Sequence, residues 1–167
     1  MKKFYLLTAF CLGLIIQAYS QDIKGNYAIK NVQTGMLLRI KDAGSKNGTP
    51  LVAYYPENWK CMTWNFQSTG KNIYQLQNLL TSKTFQPTAE ANADVAFEEQ
   101  PLVKDAPNQQ YEFIAVKKDT YLIKLKGTDL YVTPADSKGS VNSAIVLAKK
   151  RSTTEQLWNI YGQAPTM

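Results

Sequence analysis

Three short phrases stand 47 residues apart: "MTWNF" around Trp64, "QQYEF" around Tyr111 and "QLWNI" around Trp158. Other anchors keep the same step. Tyr27, Tyr74 and Tyr121 open "YAIKN", "YQLQN" and "YLIKL"; Thr34, Thr81 and Thr128 follow, and then the apolar positions Leu38, Phe85 and Val132. A period of this size means that the chain is built from similar units that stack or close on one another. Three units, residues 25–71, 72–118 and 119–165, account for nearly everything after the first twenty positions.

The type of unit follows from the spacing inside it. Tyr27 and Ile29, Leu38 and Ile40, and Trp64 and Phe66 alternate with a period of two, the pattern of half-buried strands. Turn-formers separate the runs, as in "DAGSKNGTP" at 42–50 and "PADSKGS" at 134–140. Helical repeats of similar length are therefore excluded, and three units fall short of the blades a propeller needs. The expectation is an all-β chain: a β-trefoil of three units with four strands each, closed about a pseudo-threefold axis. Closure also removes exposed strand edges. Trp64, Tyr111 and Trp158 are then core aromatics, each contributing a large buried area. Ile29, Leu76 and Ile123 are expected in the core too, related to one another by the same approximate threefold axis.

With these phrases in view, the chain resembles the ricin B-type lectin family, whose units end in Q-x-W. "QLWNI" carries the whole motif, "QQYEF" keeps the glutamine with tyrosine for tryptophan, and "MTWNF" keeps only the tryptophan. The resemblance spans roughly residues 25–161, with "TGMLLRI" and "NGTPLVAYY" in the places of the second and third strands. It implies one shallow sugar pocket per unit. There an aspartate after the second-strand leucine holds two hydroxyls, an aromatic at the end of the third strand stacks on the ring, and an amide near the motif completes the site. The motif glutamines, Gln109 and Gln156, are implied to support the turn and not to do chemistry.

The amino terminus reads as an export signal. Met1-Lys2-Lys3 precedes an apolar run from Phe4 to Ile16, and Ala18-Tyr19-Ser20 offers small residues where a signal peptidase cuts. That run is too short to span a bilayer. Residues 1–20 are therefore expected to be a signal peptide and 21–167 the mature domain, secreted or periplasmic, starting at Gln21. Phe10 before Cys11 argues against lipidation, so no membrane anchor is expected after cleavage. Only Cys61 then remains, and the fold has to be held by its core without an internal disulfide.

Chemistry is restricted by composition. The chain has no histidine, which excludes imidazole triads and imidazole-bound metals. Cys61 lacks an activating partner and reads as a buried small residue. Glu98-Glu99 and Asp42 are expected as surface charges, because no insertion supplies the cleft a carboxylate pair needs to cleave glycosides. No catalytic residue, metal site or cofactor is expected. The formal net charge is +6, and its one cluster, Lys149-Lys150-Arg151, reads as a solvated loop and not a nucleic-acid patch.

The three implied pockets are unequal. Arg39, Gln86 and Thr133 stand where the aspartate would be. Unit three has Ala148 and Lys149 in place of the aromatic, and unit two, shifted in "ADVAFEE", offers only Phe97, which also fits the core. Unit one has Tyr54 and Tyr55, with Trp59 nearby in "PENWK". The candidate ligand-binding residues are therefore Arg39 as donor, Asp42 and Asn47 as hydroxyl partners, and Tyr54, Tyr55 and Trp59 as stacking surfaces. Strand alternation could instead divide Tyr54 and Tyr55 between core and surface, with Trp59 shielding the barrel end. Arginine in that place suits an acidic or acetylated sugar better than plain galactose. The partner expected is a glycan or glycoprotein. The rival is a protein-binding trefoil, an inhibitor or adaptor using loops such as 42–50. The oligomeric state is left open.

Overall fold

The structure is a computed structural model and describes residues 22–166. The export signal, Cys11 and the start at Gln21 lie outside the described residues. Unit one contributes β1 (Gly25–Asn31), β2 (Leu37–Ile40), β3 (Leu51–Tyr54) and β4 (Thr63–Gly70). Unit two contributes β5 (Ile73–Asn78), β6 (Thr84–Pro87), β7 (Phe97–Gln100) and β8 (Tyr111–Lys117). Unit three contributes β9 (Thr120–Leu125), β10 (Leu130–Pro134), β11 (Ile145–Lys149) and β12 (Leu157–Gly162). The only helical elements among the described residues are single 3-10 turns.

Six strands close into a barrel. β1 pairs with β12 and β4, β4 with β5, β5 with β8, β8 with β9, and β9 with β12, all antiparallel. The other six form hairpins β2–β3, β6–β7 and β10–β11. These meet pairwise through the bridges Pro50–Glu98, Val52–Ala144 and Ala96–Val146 and cover one end of the barrel.

The recurring residues have recurring jobs. Trp64 Nε1 donates to Leu38 O at 3.1 Å, Tyr111 Oη to Phe85 O at 2.8 Å and Trp158 Nε1 to Val132 O at 2.9 Å. Each donor is fully or almost fully buried and reaches a carbonyl 26 residues upstream. Tyrosine can replace tryptophan in unit two because it, too, joins an apolar ring to a polar tip. The threonine anchors act in turns: Thr34, Thr81 and Thr128 each accept, through Oγ1, the backbone N–H two residues on. Asn31 and Asn78 staple neighbouring units, donating from Nδ2 to Glu155 O and Cys61 O respectively. Ile29, Leu76 and Ile123 are buried in one cluster with the motif aromatics and with Phe66, Phe113 and Ile160.

The irregularity in unit two resolves to one residue. Leu37 pairs with Tyr54, Thr84 with Gln100 and Tyr131 with Ala148. The second strands keep the 47-residue step, while the loop at 88–96 is one residue shorter than its counterparts at 41–50 and 135–144. Left-handed backbone marks the same place in each loop, at Gly48 (φ 85°), Asp94 (φ 67°) and Asn142 (φ 62°). These are residue types that tolerate it.

Candidate functional site

All four residues of β2 are buried, so both faces of this short strand are covered. Leu38 and Ile40 enter the main core. Leu37 and Arg39 face the other way. There Leu37 packs with Ala28, Cys61 and Met62, and Tyr54 and Trp59 lie against that cluster. The loop 55–62 folds back as a lid because Thr63 Oγ1 donates to Trp59 O at 2.9 Å and a 3-10 turn, Lys60–Met62, returns the chain to β4.

Arg39 is only 7% exposed. Its guanidinium carbon sits 4.0 Å from the Tyr54 ring centroid and 5.6 Å from that of Trp59. The Tyr54 ring lies 6.1 Å from Trp59 and meets Tyr55 edge-on at 5.9 Å. No carboxylate pairs with Arg39 among the described residues, and its buried Nε has no hydrogen-bond partner. Attraction to the ring faces, about 2 kcal/mol or more where water is excluded, is what holds the cation there. One face of Tyr54 is thereby covered by the chain itself, while Tyr55 is 56% exposed.

The structure brings Arg39, Tyr54, Tyr55 and Trp59 together and sets Asp42 and Asn47 apart. Tyr54 lies at the open end of the β2–β3 hairpin, and Asp42 and Asn47 lie in the loop at its far end. Asp42 is exposed with φ 51°. Asn47 Oδ1 accepts from Lys83 Nζ at 2.8 Å, which ties the loop to unit two. Glu98 is half-buried, but Glu99 is fully buried, contrary to the surface role expected for the pair. It shares its strand face with Phe85 and Phe97, accepts from Thr81 Oγ1, and leaves Oε2 without a partner. Burial raises its carboxyl above the ordinary value, against the opposing effects of Thr81 and Lys83.

The other two units have no ring at the corresponding position. In unit two that position is Gln100, and Phe97 is core. Gln86 Oε1 accepts from Gln109 Nε2 at 2.9 Å, and Gln109 also binds Pro101 O and the Val103 N–H. In unit three Thr133 donates to Glu155 O, and Gln156 spans Lys149 O and the Arg151 N–H. Both motif glutamines thus brace the turn that leads into their strand. In unit one Met62, buried and apolar, stands in that place.

Cys61 is buried and unpaired, and residues 149–151 are exposed. No group of three or more metal-ligating side chains occurs among the described residues. No described helix is long and apolar enough to cross a membrane.

Sequence reasoning passed over one surface feature. An open groove of about 500 Å³ lies between residues 56–58 and 161–164. The signal available for it was Tyr161, an aromatic beyond the last repeated motif.

Residues 16–97 match the family model of the ricin-type beta-trefoil lectin domain-like group. No curated protein sequence matches the chain. Among solved structures, the Rhizoctonia solani agglutinin superposes with a TM-score of 0.76 at 19% identity, over 86% of this chain and 98% of that one. The designed threefold-symmetric protein ThreeFoil also gives 0.76, at 13% identity over 82% and 98%. The Macrolepiota procera ricin B-like lectin, solved in complex with lactose, gives 0.69 at 14% identity over 84% and 96%. The closed barrel and these superpositions show a β-trefoil, and residues 16–97 of the chain are similar to the ricin-type beta-trefoil lectin domain-like group.

Proposed function

We propose that this chain is a secreted, non-catalytic carbohydrate-binding module that takes a glycan or glycoprotein at unit one. The observation that carries the reading is the grouping of Tyr54, Tyr55 and Trp59 around Arg39, with Tyr55 open to solvent. Aromatic rings cover the apolar face of a sugar. Asp42 and Asn47 could contact only the far end of a longer ligand. The Macrolepiota lectin's complex with lactose supports the ligand class, not the sugar. One stacked ring and a few hydrogen bonds imply millimolar to micromolar affinity, roughly −4 to −8 kcal/mol.

A glycan array with the exported protein tests this, followed by titration of variants. Tyr55→Ala and Trp59→Ala are expected to abolish binding without unfolding the domain, and Gln86→Ala and Thr133→Ala to leave it nearly intact. Unchanged affinity in both aromatic variants would move the site elsewhere. A second reading, a protein-binding trefoil that has lost sugar binding, is favoured by one observation: Arg39 covers a face of Tyr54 that a sugar would need. An array with no binding glycan would select it.

A further inference from the structure

The loop that carries Tyr55 and Trp59 also borders the groove against residues 161–164. Its walls are fixed by bonds within the protein. Gln163 Nε2 donates to Glu57 O at 2.7 Å and Asn58 Nδ2 to Ala164 O at 3.2 Å. Thr63 Oγ1, which shares its one proton between Trp59 O and Gln163 Oε1, lies 3.0 Å from the latter, and the Gln163 N–H donates to Asn26 O at 3.0 Å. A ligand therefore meets a shape that is already assembled, which lowers the ordering cost of binding.

The groups left over are those a sugar uses. Tyr161 is 40% exposed, and its hydroxyl has no partner among the described residues. Glu57 is exposed, and its carboxylate enters no ion pair among them. Among the described residues only Nδ2 of Asn58 is engaged, which leaves its amide oxygen available. A ring face, a carboxylate for two neighbouring hydroxyls and an amide oxygen make up the chemistry that Arg39 denies unit one's own pocket. Tyr161 also pairs with Ala28 across the β1–β12 ladder, so the two share a face. Ala28 belongs to the cluster against which Tyr54 and Trp59 pack. The groove volume, about 500 Å³, lies within the range of small-molecule sites.

We propose that this groove is a second glycan subsite, continuous with the Tyr54–Tyr55–Trp59 cluster. The ligand is then an oligosaccharide that runs from Tyr55 across residues 56–58 to Tyr161, with Glu57 supplying the carboxylate. The proposal rests on the carbohydrate-binding reading above.

Calorimetric titration of the exported protein tests it, using the strongest array glycan at full length and its terminal monosaccharide. The wild type should bind the oligosaccharide more tightly than the monosaccharide. Tyr161→Ala and Glu57→Gln should each weaken the oligosaccharide by about tenfold or more. Neither should change the monosaccharide affinity. Glu57→Gln leaves the fold untouched, because only the backbone of Glu57 is bonded. If both variants keep wild-type affinity while Tyr55→Ala loses it, or if the two ligand lengths bind equally, the subsite is overturned and the carbohydrate reading stands. If the wild type binds no glycan, both fall.

Discussion

Replacing Tyr111 with phenylalanine removes one oxygen from the core and leaves the ring in place. That ring stacks on Phe85 with centroids 4.5 Å apart, and the lost hydroxyl had donated to Phe85 O at 2.8 Å in a fully buried setting. Phe85 O loses this donor, and leaving a buried acceptor unsatisfied costs about 1–3 kcal/mol. In a domain of this size each kcal/mol moves Tm by about 2–4 °C, so Tm should fall by roughly 2–12 °C at neutral pH. The pH dependence gives a second readout. Burial pushes the Tyr111 phenol well above its ordinary 10.0. Above about pH 10 the unfolded chain therefore releases a proton that the folded chain keeps, and stability falls as pH rises. Phenylalanine has no such proton. The deficit of Tyr111→Phe relative to wild type should be constant up to about pH 10 and narrow beyond it; Tyr121 and Tyr161, also raised by burial, are present in both proteins and cancel. Urea unfolding followed by tryptophan fluorescence from pH 7 to 11 measures both effects. Equal stability at pH 7, or a deficit that does not narrow at alkaline pH, would refute the assignment of Tyr111 as unit two's buried donor.

Three further outcomes are expected. Trp158→Ala should cost about 3–5 kcal/mol in the same assay, because it removes a large core aromatic and leaves Val132 O without its donor. Glu99→Gln should stabilise the protein at pH 7. The raised carboxyl means that stability is lost as pH climbs from the unfolded value through the folded one, so the gain should vanish below about pH 4. Intact mass of the exported protein should show a chain beginning at Gln21; a species retaining residues 1–20 would overturn the export reading.

The fold was legible because the repeated positions are tied to backbone geometry. Trp64, Tyr111 and Trp158 keep their interval because each must reach a carbonyl 26 residues upstream. The threonines keep theirs because each caps a turn through Oγ1. Neither constraint depends on what the loops do. The hairpins were harder to read, since a loop can lose a residue at 88–96 and recover it before β8 without disturbing the barrel. That single deletion is why Phe97 could be mistaken for a platform when the register puts Gln100 there.

The site was only half legible, for a reason that lies in β2. Arg39 looks from the sequence like a donor offered to solvent, yet a four-residue strand buried on both faces carries it under the lid of residues 55–62. Proximity in sequence also joined Asp42 and Asn47 to Tyr54, although a hairpin puts its loop and its open end as far apart as its strands are long. What sequence order separates, closure brings together. Tyr161 follows the last repeat, but β12 must pair with β1 to shut the barrel, and that pairing delivers Tyr161 beside Ala28 and the unit-one cluster. Threefold repetition fixes the core, so the differences between units concentrate outside it, as in the loop 55–59 and the tail 161–164. Those two segments are bonded to each other by Gln163 and Asn58, and recognition in this chain is therefore sought at its seam and not at its symmetric positions.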